Sequence, residues 1–103
     1  MVYFVSQGNK VKIGFTNNIK QRMKNIKTSS PLSLKLLGTI DGDRNVEKEL
    51  HLKFHQYKDN LFGEWFQWSD EIRDYINQNN QMDVWVDMVN NEIWIYKKIK
   101  VVK

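Results

Sequence analysis

The sequence predicts an α+β domain: a small three-stranded antiparallel sheet flanked by helices, with an added C-terminal β-hairpin. Three observations lead there. Two short apolar runs, Val2–Ser6 and Val11–Thr16, flank Gln7-Gly8-Asn9-Lys10, where Gly and Asn tolerate the backbone of a hairpin turn. Apolar residues then recur at helical spacing in two later segments. Finally, two aromatic-rich alternating segments, Asp83–Val89 and Glu92–Lys100, flank Asn90-Asn91, a second hairpin signal. At 103 residues the chain is one domain by length. The expected division is a core over 1–80 and a hairpin extension over 81–103.

Each element has a local cause. After the first hairpin, Thr16 or Asn17 can cap a helix. Ile19, Met23 and Ile26 lie on one face of a helix from about Asn18 to Thr28, which Ser29-Ser30-Pro31 ends. Leu34–Ile40 is an apolar stretch of strand length, closed by Asp41-Gly42. Asp43 or Asn45 opens the next helix, whose Val46, Leu50 and Phe54 form one buried stripe, with an end near Tyr57. Lys58–Phe62 reads as a loop and Glu64–Trp68 as a short extended piece. Ser69 caps a third helix carrying Ile72, Tyr75 and Ile76. Core closure is the plainer reading of Trp85, Trp94 and Tyr96, and a homodimer or protein-partner surface is the other.

Composition narrows the function. The chain has no cysteine, which excludes a disulfide scaffold, a thiolate nucleophile and a Cys-ligated zinc site. The lack of cysteine fits a reducing compartment, and the expected location is cytoplasmic. No apolar run approaches the ~18 residues of a membrane span, and the first residues lack a signal-peptide layout. The net charge of +4 is unevenly spread. Met1–Ile40 carries seven basic residues and no acidic one, whereas the rest carries nine basic and twelve acidic residues. A uniformly basic first third points to a polyanion, most commonly nucleic acid.

Several residues are chemically suggestive. Glu47 and His51, at i and i+4, share a helix face beside the apolar stripe. A carboxylate there suits a hard divalent cation, and an ordinary surface pair is the plainer alternative. Two His and a Glu could hold zinc, but His51, His55 and Glu47 lack a tight spacing motif. Arg22 borders the apolar stripe of its helix, where it can offer a planar donor fork to a phosphate or simply snorkel. Lys12, Gly14 and Thr16 share the polar face of the second strand, and a glycine inside a strand marks a close approach. With Tyr3 on the paired strand, they could activate water and hold a phosphate. Trp65 and Phe66 are most simply core residues, while Glu64 between a Gly and a Trp is an odd place for an idle carboxylate.

The joint order of these residues carries more than any one of them. Val2-Tyr3-Phe4, Lys12-Ile13-Gly14-Phe15-Thr16, Arg22 and Glu47 in order resemble the GIY-YIG nuclease family. The closer likeness is to its phage- and virus-rich branch, where the second motif reads KIG-x-T. The match continues through Ser29-Ser30-Pro31-Leu32, Glu47-x-x-Leu50-His51-x-x-Phe54 and Gly63-Glu64-Trp65-Phe66, covering about residues 1–77. The last two motifs are the specific ones.

The resemblance implies a metal-dependent endonuclease that hydrolyses DNA phosphodiester bonds with one Mg²⁺, for which Mn²⁺ can substitute. RNA is not excluded as a substrate. By matched position, Tyr3 orients or deprotonates the attacking water, Arg22 stabilises the scissile phosphate and Glu47 binds the metal. Met1-Val2 replaces Gly-Ile in the first motif, and Lys12 replaces the second motif's tyrosine. An ammonium near pKa ~10.4 is mainly a phosphate contact, which leaves a base or proton-relay role to His51. Gly14, Thr16, Lys20, Lys24 and Lys27 are the expected substrate-binding residues. The alternative is a nucleic-acid-binding module on the same scaffold that no longer cuts. On either reading the affinity for DNA should fall steeply with salt, as a titration from 50 to 200 mM would show. A flat response would remove the electrostatic argument.

Overall fold

The computed structural model describes residues 1–28, 33–59 and 63–98. The segment Ser29–Leu32, part of the Lys58–Phe62 loop and positions 99–100 of the segment expected as the last strand lie outside the described residues. The chain order is β1 (Val2–Gln7), β2 (Lys10–Phe15), α1 (Ile19–Thr28), β3 (Leu34–Ile40), α2 (Arg44–Lys53), a 3₁₀ turn (His55–Tyr57), β4 (Trp65–Gln67), α3 (Asp70–Asn79), β5 (Val84–Val89) and β6 (Glu92–Lys97). No helix among the described residues is long and apolar enough to cross a membrane.

The α+β class stands, and the sheet gains a strand. Its order is β3-β1-β2-β4, with every neighbour antiparallel. The piece expected only as a short extended segment pairs with β2, bringing Trp65 opposite Lys12 and Phe66 opposite Val11. Strand β1 is central and covered on both faces, so its apolar run is continuous rather than alternating. Val2 and Phe4 join the larger core with Val11, Ile13, Leu50, Phe54, Phe66, Ile72 and Ile76. Tyr3 and Val5 point the other way, onto Ile19, Met23 and Ile26 of α1.

The helix caps follow local chemistry, with two changes. Neither Thr16 nor Asn17 caps α1. Asn18 does, its Oδ1 accepting the Gln21 N–H at 3.1 Å. Thr16 Oγ1 instead accepts from Asn18 N at 3.1 Å and donates to its carbonyl at 3.2 Å. Asp43 caps α2 by accepting from Asn45 N and Val46 N, and Ser69 caps α3. Helix α2 ends at Lys53, short of Tyr57, because Phe54 is fully buried and the next residues tighten into the 3₁₀ turn. That turn lets Lys58 pair with Phe66 and Asp59 N–H reach the Trp65 carbonyl at 3.0 Å.

The C-terminal hairpin packs on the core. Asn90 and Asn91 at φ 53° and 64° make the turn, since Asn tolerates the left-handed region. The core is closed by Val86 and Ile93, each about 1% exposed, and not by the aromatic residues. Trp85, Trp94 and Tyr96 alternate outward and stay nearly half exposed, with Lys98 over Trp85 and Lys35 over Trp94. Asn77 clamps the hairpin by donating to Val86 O at 2.9 Å and accepting from Val86 N at 2.8 Å. Asn80 bridges β3, donating to Leu37 O at 3.0 Å and accepting from Thr39 N at 3.1 Å. The β1–β3 register shifts between Phe4 and Val5, so Asn80 satisfies backbone groups that the irregular ladder frees.

Gly14 is a residue the sheet cannot readily exchange. It lies opposite Tyr3 in the β1–β2 register. A Cβ at position 14 would sit 2.4 Å from the Tyr3 hydroxyl and 2.5 Å from its ring carbon. Replacing Gly14 by Ala should cost about 1–3 kcal/mol, since the ring is buried and cannot swing aside freely. Denaturant unfolding of Gly14→Ala, Tyr3→Leu and the double variant checks this. The double variant should lose much less than the two single losses combined. Simple additivity would show that ring and backbone do not press on each other.

Candidate functional site

The Tyr3 ring crosses Gly14 and ends in a cleft of about 180 Å³. Tyr3, Phe15, Arg22, Arg44, Glu47, Lys48 and Glu64 line it. Three sequence-predicted residues, Tyr3, Arg22 and Glu47, therefore converge from β1, α1 and α2. Three cations and two carboxylates around a phenol make a lining suited to an anion held beside a positive ion. Larger hollows beside Lys35 and beside Lys10 have no such paired carboxylates.

Each side chain is placed by its element. Arg22 sits one turn from Ile19, so packing of Ile19, Met23 and Ile26 on the sheet turns Arg22 toward the cleft while leaving it exposed. Glu47 lies in the first turn of α2, its side chain about one-fifth exposed. The Arg44 guanidinium stands 5.8 Å from the Phe15 ring, which holds it at the cleft. Glu64 is fixed from its backbone, whose carbonyl accepts the Ile13 N–H at 3.0 Å.

The electrostatics follow from crowding. Burial, then the nearby Glu64 carboxylate, push the Glu47 carboxyl above the usual carboxylate range, only partly offset by His51 and Arg44. Burial and the Glu64 charge push the Tyr3 phenol up to about 12, against a counter-pull from Arg22. Tyr3 therefore keeps its proton at neutral pH. The donors in the cleft are hard oxygens, the kind that Mg²⁺ or Mn²⁺ takes, so the residues present fit such an ion. No third His, Asp or Glu joins them in a cage among the described residues.

Two predicted residues stand just behind the cleft. Lys12 Nζ is 3.8 Å from Glu64 Oε2 and 5.8 Å from the Trp65 ring. His51 Nε2 lies 2.8 Å from the Ile13 carbonyl oxygen and 3.9 Å from Glu47 Oε1. A carbonyl only accepts, so Nε2 carries the hydrogen and has no lone pair to offer a water in this arrangement. The ring also meets Phe66 edge-on at 5.0 Å, which makes His51 a strap between α2 and the sheet.

The remaining substrate-binding expectations fare differently. Gly14 is covered by the Tyr3 ring, so the close approach it permits is that ring's. Thr16 is buried and occupied with Asn18. Lys20 and Lys24 fall on the side of α1 opposite Arg22, beside a shallow apolar groove with Ile19, Met23 and Leu36. Lys27 is exposed and does not line the cleft. The cleft's other cations, Arg44 and Lys48, were missed by sequence reasoning, although Arg44 lies one turn before Glu47 and one turn before Lys48, a spacing that could have found both. Glu64 stood out in sequence only as an oddly placed carboxylate.

The raised Glu47 carboxyl carries a stability consequence. Its folded value exceeds its unfolded one, so ionised Glu47 destabilises the fold at neutral pH, and that cost vanishes as pH falls below the ordinary carboxylate value. Glu47→Gln, without added metal, should melt a few degrees above the parent chain at pH 7, with the gap closing toward pH 4. A lower melting temperature for Glu47→Gln at pH 7 would contradict the crowding of the two carboxylates.

No curated protein and no solved structure matches the chain. The family model of the T5orf172 domain matches residues 1–90. This is a phage-associated domain of the nuclease-like kind, consistent with a role on nucleic acid. By that match the chain, with its basic first third and its phenol, arginine and carboxylate meeting in one cleft, belongs to the T5orf172 family.

Proposed function

We propose that the protein is a metal-dependent endonuclease of the GIY-YIG type, cutting DNA phosphodiester bonds with Mg²⁺ or Mn²⁺. The observation that carries this reading is the convergence of Tyr3, Arg22 and Glu47 on one cleft. The T5orf172 membership supports it.

The residues divide the work by chemistry. Arg22, at the exposed rim, offers its donor fork to the non-bridging oxygens of a phosphate. Arg44 and Lys48 add positive charge on the α2 side and hold the backbone across the opening. Tyr3 keeps its proton, so its hydroxyl orients the attacking water by hydrogen bonding and does not begin as a phenolate. His51 positions Glu47's helix against β2 through the Ile13 carbonyl. Glu47 holds the divalent cation, which when bound supplies charge to the phosphate and the leaving oxygen. Preorganised charge of this kind is the largest contribution in phosphoryl chemistry, and rigid strands on both sides of Tyr3 provide the preorganisation.

The experiment is incubation of the chain with plasmid, single-stranded DNA and RNA in Mg²⁺, Mn²⁺ or EDTA. Cleavage of DNA should require the metal. Arg22→Ala and Glu47→Ala should each lose at least about 100-fold in rate with an unchanged circular dichroism spectrum. Salt-sensitive binding without any metal-dependent product would favour a module that binds and does not cut. Wild-type cleavage by either variant would end the assignment of this cleft.

A further inference from the structure

The cleft holds a carboxylate that the reaction above leaves unused. Glu64 reaches it from the residue before β4, its backbone locked to Ile13. Its side chain lines the same small cleft as that of Glu47, near enough for its charge to push the Glu47 carboxyl upward. Both come from anchored elements, since α2 is strapped to β2 through His51 and Glu64 extends the β2–β4 ladder. Two carboxylates held in one small cleft repel unless a proton or a cation lies between them.

Two further observations point to a cation. The first is Tyr3, which is about 1% exposed and lines the same cleft. No buried side-chain oxygen or nitrogen among the described residues lacks a partner, so the Tyr3 hydroxyl, which bonds to none of them, opens onto the cleft. Its oxygen and the two carboxylates therefore face one small space. The second is the weakness of the nearest internal counter-charge. Lys12 Nζ stands 3.8 Å from Glu64 Oε2, beyond a direct hydrogen bond. Holding Lys12 would not by itself bring Glu64 into the cleft with Glu47.

We propose that Glu64 is a second protein ligand for the divalent cation, forming with Glu47 a two-carboxylate seat onto which the Tyr3 hydroxyl opens. The inference rests on the reading of Glu47 as a metal ligand and adds a residue to it. A hard cation gains affinity with each carboxylate that its seat provides, and Mg²⁺ commonly binds one or two carboxylates and keeps several waters. In this seat Lys12 is the cation's competitor for Glu64.

The test is a Mn²⁺ titration of the full chain without DNA, followed by loss of the free-ion electron paramagnetic resonance signal, with Mg²⁺ as displacer. The chains are the parent, Glu47→Gln, Glu64→Gln and Lys12→Met. Glu64→Gln should weaken Mn²⁺ binding at least about tenfold, the lower end of what even outer-shell partners of a metal contribute. Lys12→Met should tighten it, whereas a structural Lys12–Glu64 pair would make the two variants behave alike. If Glu64→Gln binds Mn²⁺ like the parent while Glu47→Gln loses it, the proposal falls and the Glu47 reading stands. If the parent binds no Mn²⁺, or all four chains bind it equally, both fall. Should Glu64→Gln not fold, Glu64→Asp gives the same readout: weakened binding supports the seat, and unchanged binding overturns it.

Discussion

A side chain at position 14 would occupy the space that the Tyr3 ring takes, and the cleft depends on that exclusion. Tyr3 sits on the central strand, covered on both faces, so its backbone has little freedom. Its ring crosses the neighbouring strand at the one residue without a Cβ and emerges on the far side. There the hydroxyl opens onto the cleft that Glu47 of α2 and Arg22 of α1 also line, two helices packed against different residue sets of the sheet. Without the glycine the ring would be lifted, and the phenol would leave the space the other side chains face.

Ile13 organises the other wall. Its N–H goes to the Glu64 carbonyl and its carbonyl receives the His51 N–H, so one residue ties the start of β4 and α2 to the same point of β2. The site is therefore assembled from consecutive residues of one strand, Ile13 for the frame and Gly14 for the opening. The C-terminal hairpin supports this from a distance. Asn80 repairs the irregular β1–β3 ladder and Asn77 fastens Val86, which completes the core over α3. The outward tryptophans take no part in that closure.

The cleft is electrostatically costly as it stands. Two carboxylates share it with a buried phenol, and both Glu47 and Tyr3 are pushed toward their protonated forms. A fold selected for stability alone would separate such groups or pair each with a cation. Three basic side chains around the rim do not neutralise the floor, because Arg22 is exposed and Arg44 is spent partly on the Phe15 ring. Strain of this kind concentrates where a protein holds charge for a ligand.

Most elements were legible because their causes are local. Asp43 and Ser69 cap the helices they precede, Leu34–Ile40 is a strand over its whole expected length, and Asn90-Asn91 turns the last hairpin. Ile19, Met23 and Ile26 face the sheet as their spacing requires. The sequence by itself determined the α+β class, the basic first third and the order in which Tyr3, Arg22 and Glu47 occur. Only the tertiary structure decided that they line one cleft, that Glu64 shares it with Glu47, that Thr16, Lys20 and Lys24 turn elsewhere, and that His51 Nε2 is committed to a carbonyl. The reason is physical: periodicity and capping act over a few residues, whereas the meeting of β1, α2 and the start of β4 is fixed by strand register. In this chain that register sets Tyr3 opposite Gly14, where the ring can cross the neighbouring strand.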